Sequence, residues 1–476
     1  MLPGVFRLGG AQVGEFKMKH AIVIGTGAGG ATVAKELQGK FDVTVLEAGK
    51  EFRPFPLELA TIERVKKIGL LLDERVMSLS FRNLQIRKTP DMVLVNGIGL
   101  GGTTTISTGN AVRMDKDLKA IGINLDAEFE EVFREIPVTT VHQKRWHKTT
   151  RRLFEICGEL GLDPQPMPKM GNYEKCISCG RCTYGCRHGA KWDSRQFLQI
   201  ARERGAQVLT NCRVERVVIE NGHATGVEAR HGWTRQFYPA DLIVLAAGGF
   251  GTPVILQNSG IPCEPRLFVD PVLCLATKWE NALQCKEIEM PFFMQREHYT
   301  LSPYFDYVSF LFNKAWRYPA KDTLGIMIKL ADSTTGSISK QELRKTLTAL
   351  DRERLSGAIE TGKEILRRFG AKDRDIFLGT INAGHPGGML PLTEREAESF
   401  HHDRLPENLY VADATLIPES LGNPPILTIV AIAKRVSKLC IEKLTKNPEQ
   451  DGVVWEVAKQ RAQLRSKSRS TAAPAT

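Results

Sequence analysis

Residues 21–48, AIVIGTGAGGATVAKELQGKFDVTVLEA, decide the fold class. The apolar run from Ala21 to Ile24 reads as a buried strand, the glycines after it as a tight turn, 32–37 as a helix and 43–46 as a second strand. Together they make one βαβ unit. Gly25, Gly27 and Gly30 occupy the three places of GxGxxG. The first permits the turn, the second lets backbone approach a pyrophosphate, and the third lets helix and strand pack closely; the helix N-terminus then faces the phosphates. Glu47 ends the second strand, where a carboxylate accepts hydrogen bonds from both ribose hydroxyls of a dinucleotide and repels a 2′-phosphate. FAD and NAD both suit such a unit.

The chain has 476 residues, 42% hydrophobic and 25% charged, a globular composition that suffices for two or three domains and a large core. No run of 18 apolar residues occurs, and the start, MLPGVFRLGGAQVGEFKMKH, has no apolar signal core. Neither a spanning helix nor a secretion signal is expected, which makes the cytoplasm the expected compartment. Residues 1–18 read as an unstructured extension. Part of the net charge of +11 falls in an acid-free tail carrying Lys459, Arg461, Arg465, Lys467 and Arg469. Residues 446–476 are therefore expected to be a basic, partly disordered segment, free to touch anionic lipid at a membrane periphery or an acidic redox partner. Elsewhere the charge is mixed in sign and no aromatic and basic motif accompanies it, which argues against nucleic acid as a partner.

The stretch 95–113, VNGIGLGGTTTISTGNAVR, sets glycines at 97, 99, 101 and 102 before three threonines, a loop whose backbone approaches something closely. Gly99 through Thr104, with Asn110, resembles the second flavin-contact loop of the glucose-methanol-choline (GMC) oxidoreductases. Residues 241–261, DLIVLAAGGFGTPVILQNSGI, are similar to the second signature of that family. Read physically, they are a buried strand at 242–245, a glycine turn and a helix starting near Thr252 and Pro253. Further matches are NAGHPGGM around His385, NLYVADATLIP at 408–418 and SLGNPPILTIVAIAKR around Asn423.

The resemblance implies an α/β chain. A Rossmann-type FAD-binding domain with a parallel sheet would span 19–261 and 375–445, and an α+β substrate domain with an antiparallel sheet would span 262–374. It also implies FAD as cofactor, held by Gly25, Gly27, Gly30 and Glu47 at its ADP half. Gly101, Gly102, Thr103 and Asn110 would lie against pyrophosphate and isoalloxazine, the Val214 backbone at the adenine, and Asp413 at the ribityl or pyrophosphate. Pro424 would open a helix, with Ile426, Ile429, Ala433, Val436 and Cys440 at helical spacing, whose positive end faces the flavin pyrimidine edge. Within 262–374, alternation at 305–312 and 323–330 suggests antiparallel strands, and 343–369 reads as a charged amphipathic helix covering the site.

A separate signal stands at 170–192. Cys176, Cys179, Cys182 and Cys186 have the spacing CxxCxxCxxxC, four of the ten cysteines within eleven positions, which is how one loop wraps a [4Fe-4S] cluster. Zinc prefers two separated pairs, and disulfides suit neither a reduced compartment nor such close neighbours. Arg187 replaces the proline of ferredoxin runs, so Cys186 or a remote thiol such as Cys157 or Cys212 is open as the fourth ligand, and plain thiols are open as well.

In GMC proteins the HPxG histidine faces the flavin and a His or Asn of the closing segment is its partner, which implies His385 and Asn423 as the catalytic pair. Hydride removal from an alcohol carbon requires the hydroxyl proton to leave, and imidazole suits that base; Asn423 would hold the oxygen. The expectation is hydride transfer between a nonpolar alcohol or carbonyl and flavin N5, with electrons leaving through the cluster to a ferredoxin- or quinone-like carrier. A reductase of an unsaturated or carbonyl substrate, an oxygen-using alcohol oxidase lacking the cluster, and a non-catalytic electron relay are the alternatives.

Overall fold

The computed structural model describes residues 18–55, 58–67 and 83–446; the expected N-terminal extension, save Met18, and the basic tail beyond Lys446 lie outside the described residues. Strand His20–Ile24 leads into helix Ala28–Leu37 and returns as Asp42–Leu46, parallel to the first strand with Ile24 opposite Leu46. Three further parallel strands complete the sheet, in the order Leu409–Val411, Leu242–Leu245, His20–Ile24, Asp42–Leu46, Gln207–Leu209. The unbroken apolar runs at 21–24 and 242–245 follow from their inner position, since helices cover both faces of a parallel sheet. The last helix, Ile426–Lys446, packs along the first. Its buried Lys434 reaches Glu36 at 2.7 Å and Glu135 at 2.9 Å, which fixes the rotation of both helices.

A second, mixed sheet of nine strands carries the central antiparallel set Val272–Lys278, Thr323–Leu330 and Tyr299–Pro303. All eight residues of Thr323–Leu330 are buried, but the strand period of two gives its faces different work. Leu324, Ile326 and Ile328 join a core with Leu355, Ala358, Ile365 and Leu366 of helix Ala349–Phe369. Met327 and Lys329 turn the other way, toward a cavity shared with the parallel sheet. The architecture is thus α/β with a parallel sheet and a mixed, largely antiparallel one. Among the described residues no helix is long and apolar enough to cross a membrane.

Three local expectations change. Residues 305–312 do not form a strand: Tyr299–Pro303 ends first, and the Asp306 carboxylate accepts from Val308 N at 3.0 Å to start the short helix Tyr307–Phe312. A short apolar run fits either period, and the cap decides. The segment 343–369 becomes helical only at Ala349, after a capping box between Thr348 and Asp351; the helix packs on the sheet face away from the cavity, while Leu343 before it lines the cavity. The helix expected near Thr252 starts at Gly248 and runs through Pro253. Thr252 is instead a brace, its hydroxyl accepting from Ala247 N at 3.0 Å and donating to Asp413 Oδ2 at 2.5 Å.

Candidate functional site

A cavity of about 820 Å³ lies where the carboxyl ends of the parallel strands meet the mixed sheet. That is the crevice in which open α/β sheets bind ligands, and its volume is in the range of cofactor pockets. Three helices begin at its wall, at Ala28, Gly248 and Ile426, so three helix N-termini with their positive dipole ends converge on it. Pro424 and Pro425, just before the last of these helices, line it too.

The glycines of the first turn divide their tasks as their spacing implies. Gly25 has φ +98°, the left-handed conformation that favours glycine, and a Cβ there would lie 2.3 Å from Ala246 O. A Cβ on Gly30 would lie 2.0 Å from Gly25 O, so this glycine is a packing requirement and does not line the cavity. At Gly27 a Cβ would meet nothing within 4 Å: the open space is the cavity itself. Glu47 lines the cavity, but its carboxylate is already engaged. Oε2 accepts from Thr26 N at 3.1 Å and Thr26 Oγ1 at 2.6 Å; Oε1 accepts from Gly49 N at 2.8 Å and Gly99 N at 3.1 Å. The acid ties the first glycine turn to the second.

That second loop runs from Val93–Gly97 into a tight turn of helix, Gly102–Ile106. Gly102 and Thr103 line the cavity, whereas Gly101 is held behind them with its N–H donating to Thr26 Oγ1 at 3.2 Å. Asn110 and Val214 also line it. Asn110 Oδ1 accepts from the buried Lys169 Nζ at 2.6 Å. Asp413 reaches the wall while its oxygens accept from Gly248 N at 2.8 Å, Thr252 Oγ1 and Thr415 N at 2.8 Å. Burial raises its pKa.

His385 faces the same cavity, its side chain 24% exposed. The segment that carries it is laid beside residues 266–270: His385 N donates to Val269 O at 3.3 Å and Gly387 N to Phe268 O at 3.1 Å. Lys329 Nζ lies 2.6 Å from His385 Nδ1, and Asp270 Oδ2 lies 3.4 Å from each of them. Burial and the Lys329 charge lower the His385 pKa, against the pull of Asp270, so the imidazole is neutral at neutral pH. Burial also lowers the Lys329 pKa. For Asp270 burial works upward, but Lys329, His385 and Ser420 outweigh it and the net shift is downward. Asn423 is not at the cavity wall. It is fully buried, its amide donating to Gln295 Oε1 at 2.7 Å and Thr300 Oγ1 at 3.1 Å, with Oδ1 left unpartnered. The residues gathered around His385 are Lys329 and Asp270, which sequence reasoning missed; the available signal was a lysine inside the apolar strand TLGIMIKL.

Residues 19–272 match the family model for GMC oxidoreductase, more than half of the chain. The chain belongs to the GMC oxidoreductase family. An uncharacterized protein of Methanocaldococcus jannaschii is 27% identical over 87% of this chain and 97% of its own length. A long-chain-alcohol oxidase of Arabidopsis thaliana is 22% identical over 90% of this chain and 67% of its own length. The crystal structure of pyridoxine 4-oxidase from Mesorbium loti covers 89% of this chain and 99% of that one, with a TM-score of 0.66 at 17% identity, which shows a shared fold.

GMC oxidoreductases bind FAD, and this cavity fits it: the space at Gly27 is open to a pyrophosphate, and the helix ends supply donors. Cys176, Cys179, Cys182 and Cys186 are free thiols, and among the described residues no three His, Cys, Asp or Glu side chains gather closely enough to hold a metal ion. Protein groups organise this loop. Lys191 Nζ donates to Cys182 O at 2.9 Å, Thr105 O at 2.8 Å and Ser107 O at 2.6 Å, while Glu289 accepts from Thr183 N and Oγ1. The cysteine loop is thereby fastened to the loop at 99–107, and Thr183 and Tyr184 reach the cavity wall.

Proposed function

We propose that this GMC oxidoreductase exchanges a hydride between a nonpolar alcohol and FAD, with His385 as the acid–base group. The observation that carries the reading is that His385 and the open space at Gly27 belong to one cavity. Bound FAD supplies the hydride acceptor. Gly27 and the start of helix Ala28–Leu37 hold its pyrophosphate, Gly102, Thr103 and Asn110 pack against the cofactor, and Val214 meets the adenine. Pro424 brings the N-terminus of the last helix to the flavin. Gly25 and Gly30 shape the first turn, while Glu47, Gly101 and Asp413 brace the loops. Val272, Leu311, Phe312 and Met327 give the remaining wall an apolar surface, which suits a hydrocarbon chain and excludes water from the reacting carbon. His385, neutral in this setting, exchanges a proton with the substrate oxygen. Asn423 acts from behind the wall, holding Gln295 and Thr300 in place. The name of the Arabidopsis relative supports an alcohol substrate.

FAD, once reduced, would pass its electrons to oxygen in the leading reading, which the oxidase name of the Arabidopsis relative supports. The second reading is a [4Fe-4S] relay on Cys176, Cys179, Cys182 and Cys186 to a ferredoxin or quinone, favoured by the spacing of the four thiols and by the buried Lys169 and Lys191 beside Cys182, whose charges offset an anionic cluster. The test is FAD content and anaerobic bleaching of the flavin by a panel of alcohols of increasing chain length, with iron and sulfide assayed on the same sample. Stoichiometric FAD and bleaching that improves with chain length support the reading; bound FAD that no alcohol bleaches sinks it. About four irons and sulfides per chain would move the relay to the front.

A further inference from the structure

We propose that Lys329 decides which nitrogen of His385 carries the proton, so that the two side chains act as one acid–base group whose protonation state selects the direction of catalysis. The inference rests on His385 being the acid–base group of the site, and it adds a positioning residue and a proton route.

The geometry is specific. Lys329 Nζ is 2.6 Å from His385 Nδ1, and it also donates to Asp270 O at 3.3 Å. An ammonium has only donors, so while Lys329 is charged Nδ1 must accept and the neutral ring holds its proton on Nε2. The competitor for Nδ1 is Asp270 Oδ2, buried without a hydrogen-bond partner and 3.4 Å from Nδ1. Asp270 is held there by a left-handed backbone, φ +50°, and by Gly422 N, which donates to its Oδ1 at 3.1 Å. Other charges around the pair balance it. Asp332 lies near Asp270 and Lys329, pairs with Lys345 Nζ at 2.6 Å, and shares the Ser420 hydroxyl with Asp270. Two ammonium groups thus face two carboxylates, which makes charged Lys329 the resting form.

The consequence is directional. With Lys329 charged, Nε2–H is a donor, ready to protonate the oxygen of a carbonyl as hydride arrives at its carbon. With one proton removed from the pair, Lys329 is a neutral amine that accepts Nδ1–H, and Nε2 presents a lone pair. An alcohol then gives its O–H proton to Nε2, the Nδ1 proton passes to Lys329, and the C–H hydride goes to oxidised flavin, leaving the carbonyl. One O–H and one C–H bond break, one N–H bond forms on the pair, and the two electrons leave with the hydride. Burial, which lowers the Lys329 pKa, brings the neutral amine within reach.

The test uses the full chain labelled with ¹⁵N-histidine, the His385 signals assigned by their loss in His385→Gln. At pH 7 the wild type is expected to carry its proton on Nε2. In Lys329→Met the proton should move to Nδ1 and hydrogen-bond to Asp270, and in Lys329→Arg, always charged, it should stay on Nε2 at every pH at which the ring is neutral. In parallel, anaerobic flavin reduction by an alcohol should rise about tenfold per pH unit in the wild type until the pair is deprotonated. That limb should vanish in Lys329→Met, and the plateau should vanish in Lys329→Arg. A wild-type ring with Nδ1–H, or a tautomer unmoved in Lys329→Met, overturns the proposal. Should Lys329→Met not fold, the wild type and Lys329→Arg decide alone. The expected tautomers without any alcohol turnover would instead sink the proposed function and leave the pair standing.

Discussion

The carboxylate of Glu47 clamps Thr26, taking the Thr26 N–H at 3.1 Å and its hydroxyl at 2.6 Å on one oxygen while the other oxygen takes the N–H groups of Gly49 and Gly99. Three buried N–H donors depend on this side chain, the Thr26 hydroxyl having Gly99 O as a second acceptor at 3.2 Å, and each donor left unsatisfied costs about 1–3 kcal/mol less what relaxation recovers. Glu47→Ala should therefore lower stability by about 3 kcal/mol in urea unfolding and weaken FAD retention. Loss of FAD at unchanged stability would show that Glu47 serves the ribose instead.

Gly27 and Gly30 stand in opposite surroundings, so one substitution separates binding from folding. Gly27→Ala places a methyl in the cavity and should leave the apo unfolding midpoint within about 0.5 kcal/mol of wild type while weakening FAD at least tenfold, read by flavin fluorescence titration. Gly30→Ala drives a methyl into Gly25 O and should reduce the soluble folded yield. Equal stability losses in the two variants would contradict the division of tasks.

Burial lifts the Glu289 pKa from 4.5 to about 7, against the hydrogen bonds from Thr183 and the charges of Lys191 and Lys169. Between those two values the folded chain still holds a proton that the unfolded chain has released, so stability falls as pH rises through the window. The wild type should lose on the order of 2–3 kcal/mol of stability from this group between pH 4.5 and 7.5, and Glu289→Gln should flatten that slope. Urea midpoints at the two pH values check it; an unchanged slope would mean that Glu289 stays ionised.

The βαβ unit was legible because its signals are local: an apolar run, three glycines and an acid within 28 residues that also meet in space. The cavity side of strand Thr323–Leu330 was legible only as alternation, and the lysine in it only as an anomaly. Its meaning depends on His385, 56 residues away, and on Asp270, which the fold alone brings within 3.4 Å. At 305–312 the apolar pattern fitted two periods, and Asp306 chose the helix. The cysteine spacing was the clearest regularity in the middle of the chain. Spacing fixes which thiols share a loop, though, and not where Lys191 and Glu289 fasten that loop.

In the proposed function His385 exchanges the substrate proton while the glycine turns hold the cofactor. Anaerobic mixing of FAD-loaded wild type and His385→Gln with a long-chain alcohol, followed by flavin absorbance, tests it most directly. The wild type should bleach, and His385→Gln should keep its full complement of FAD yet bleach about 10²–10⁴-fold more slowly. Bleaching at the wild-type rate in a fully loaded His385→Gln would contradict the claim.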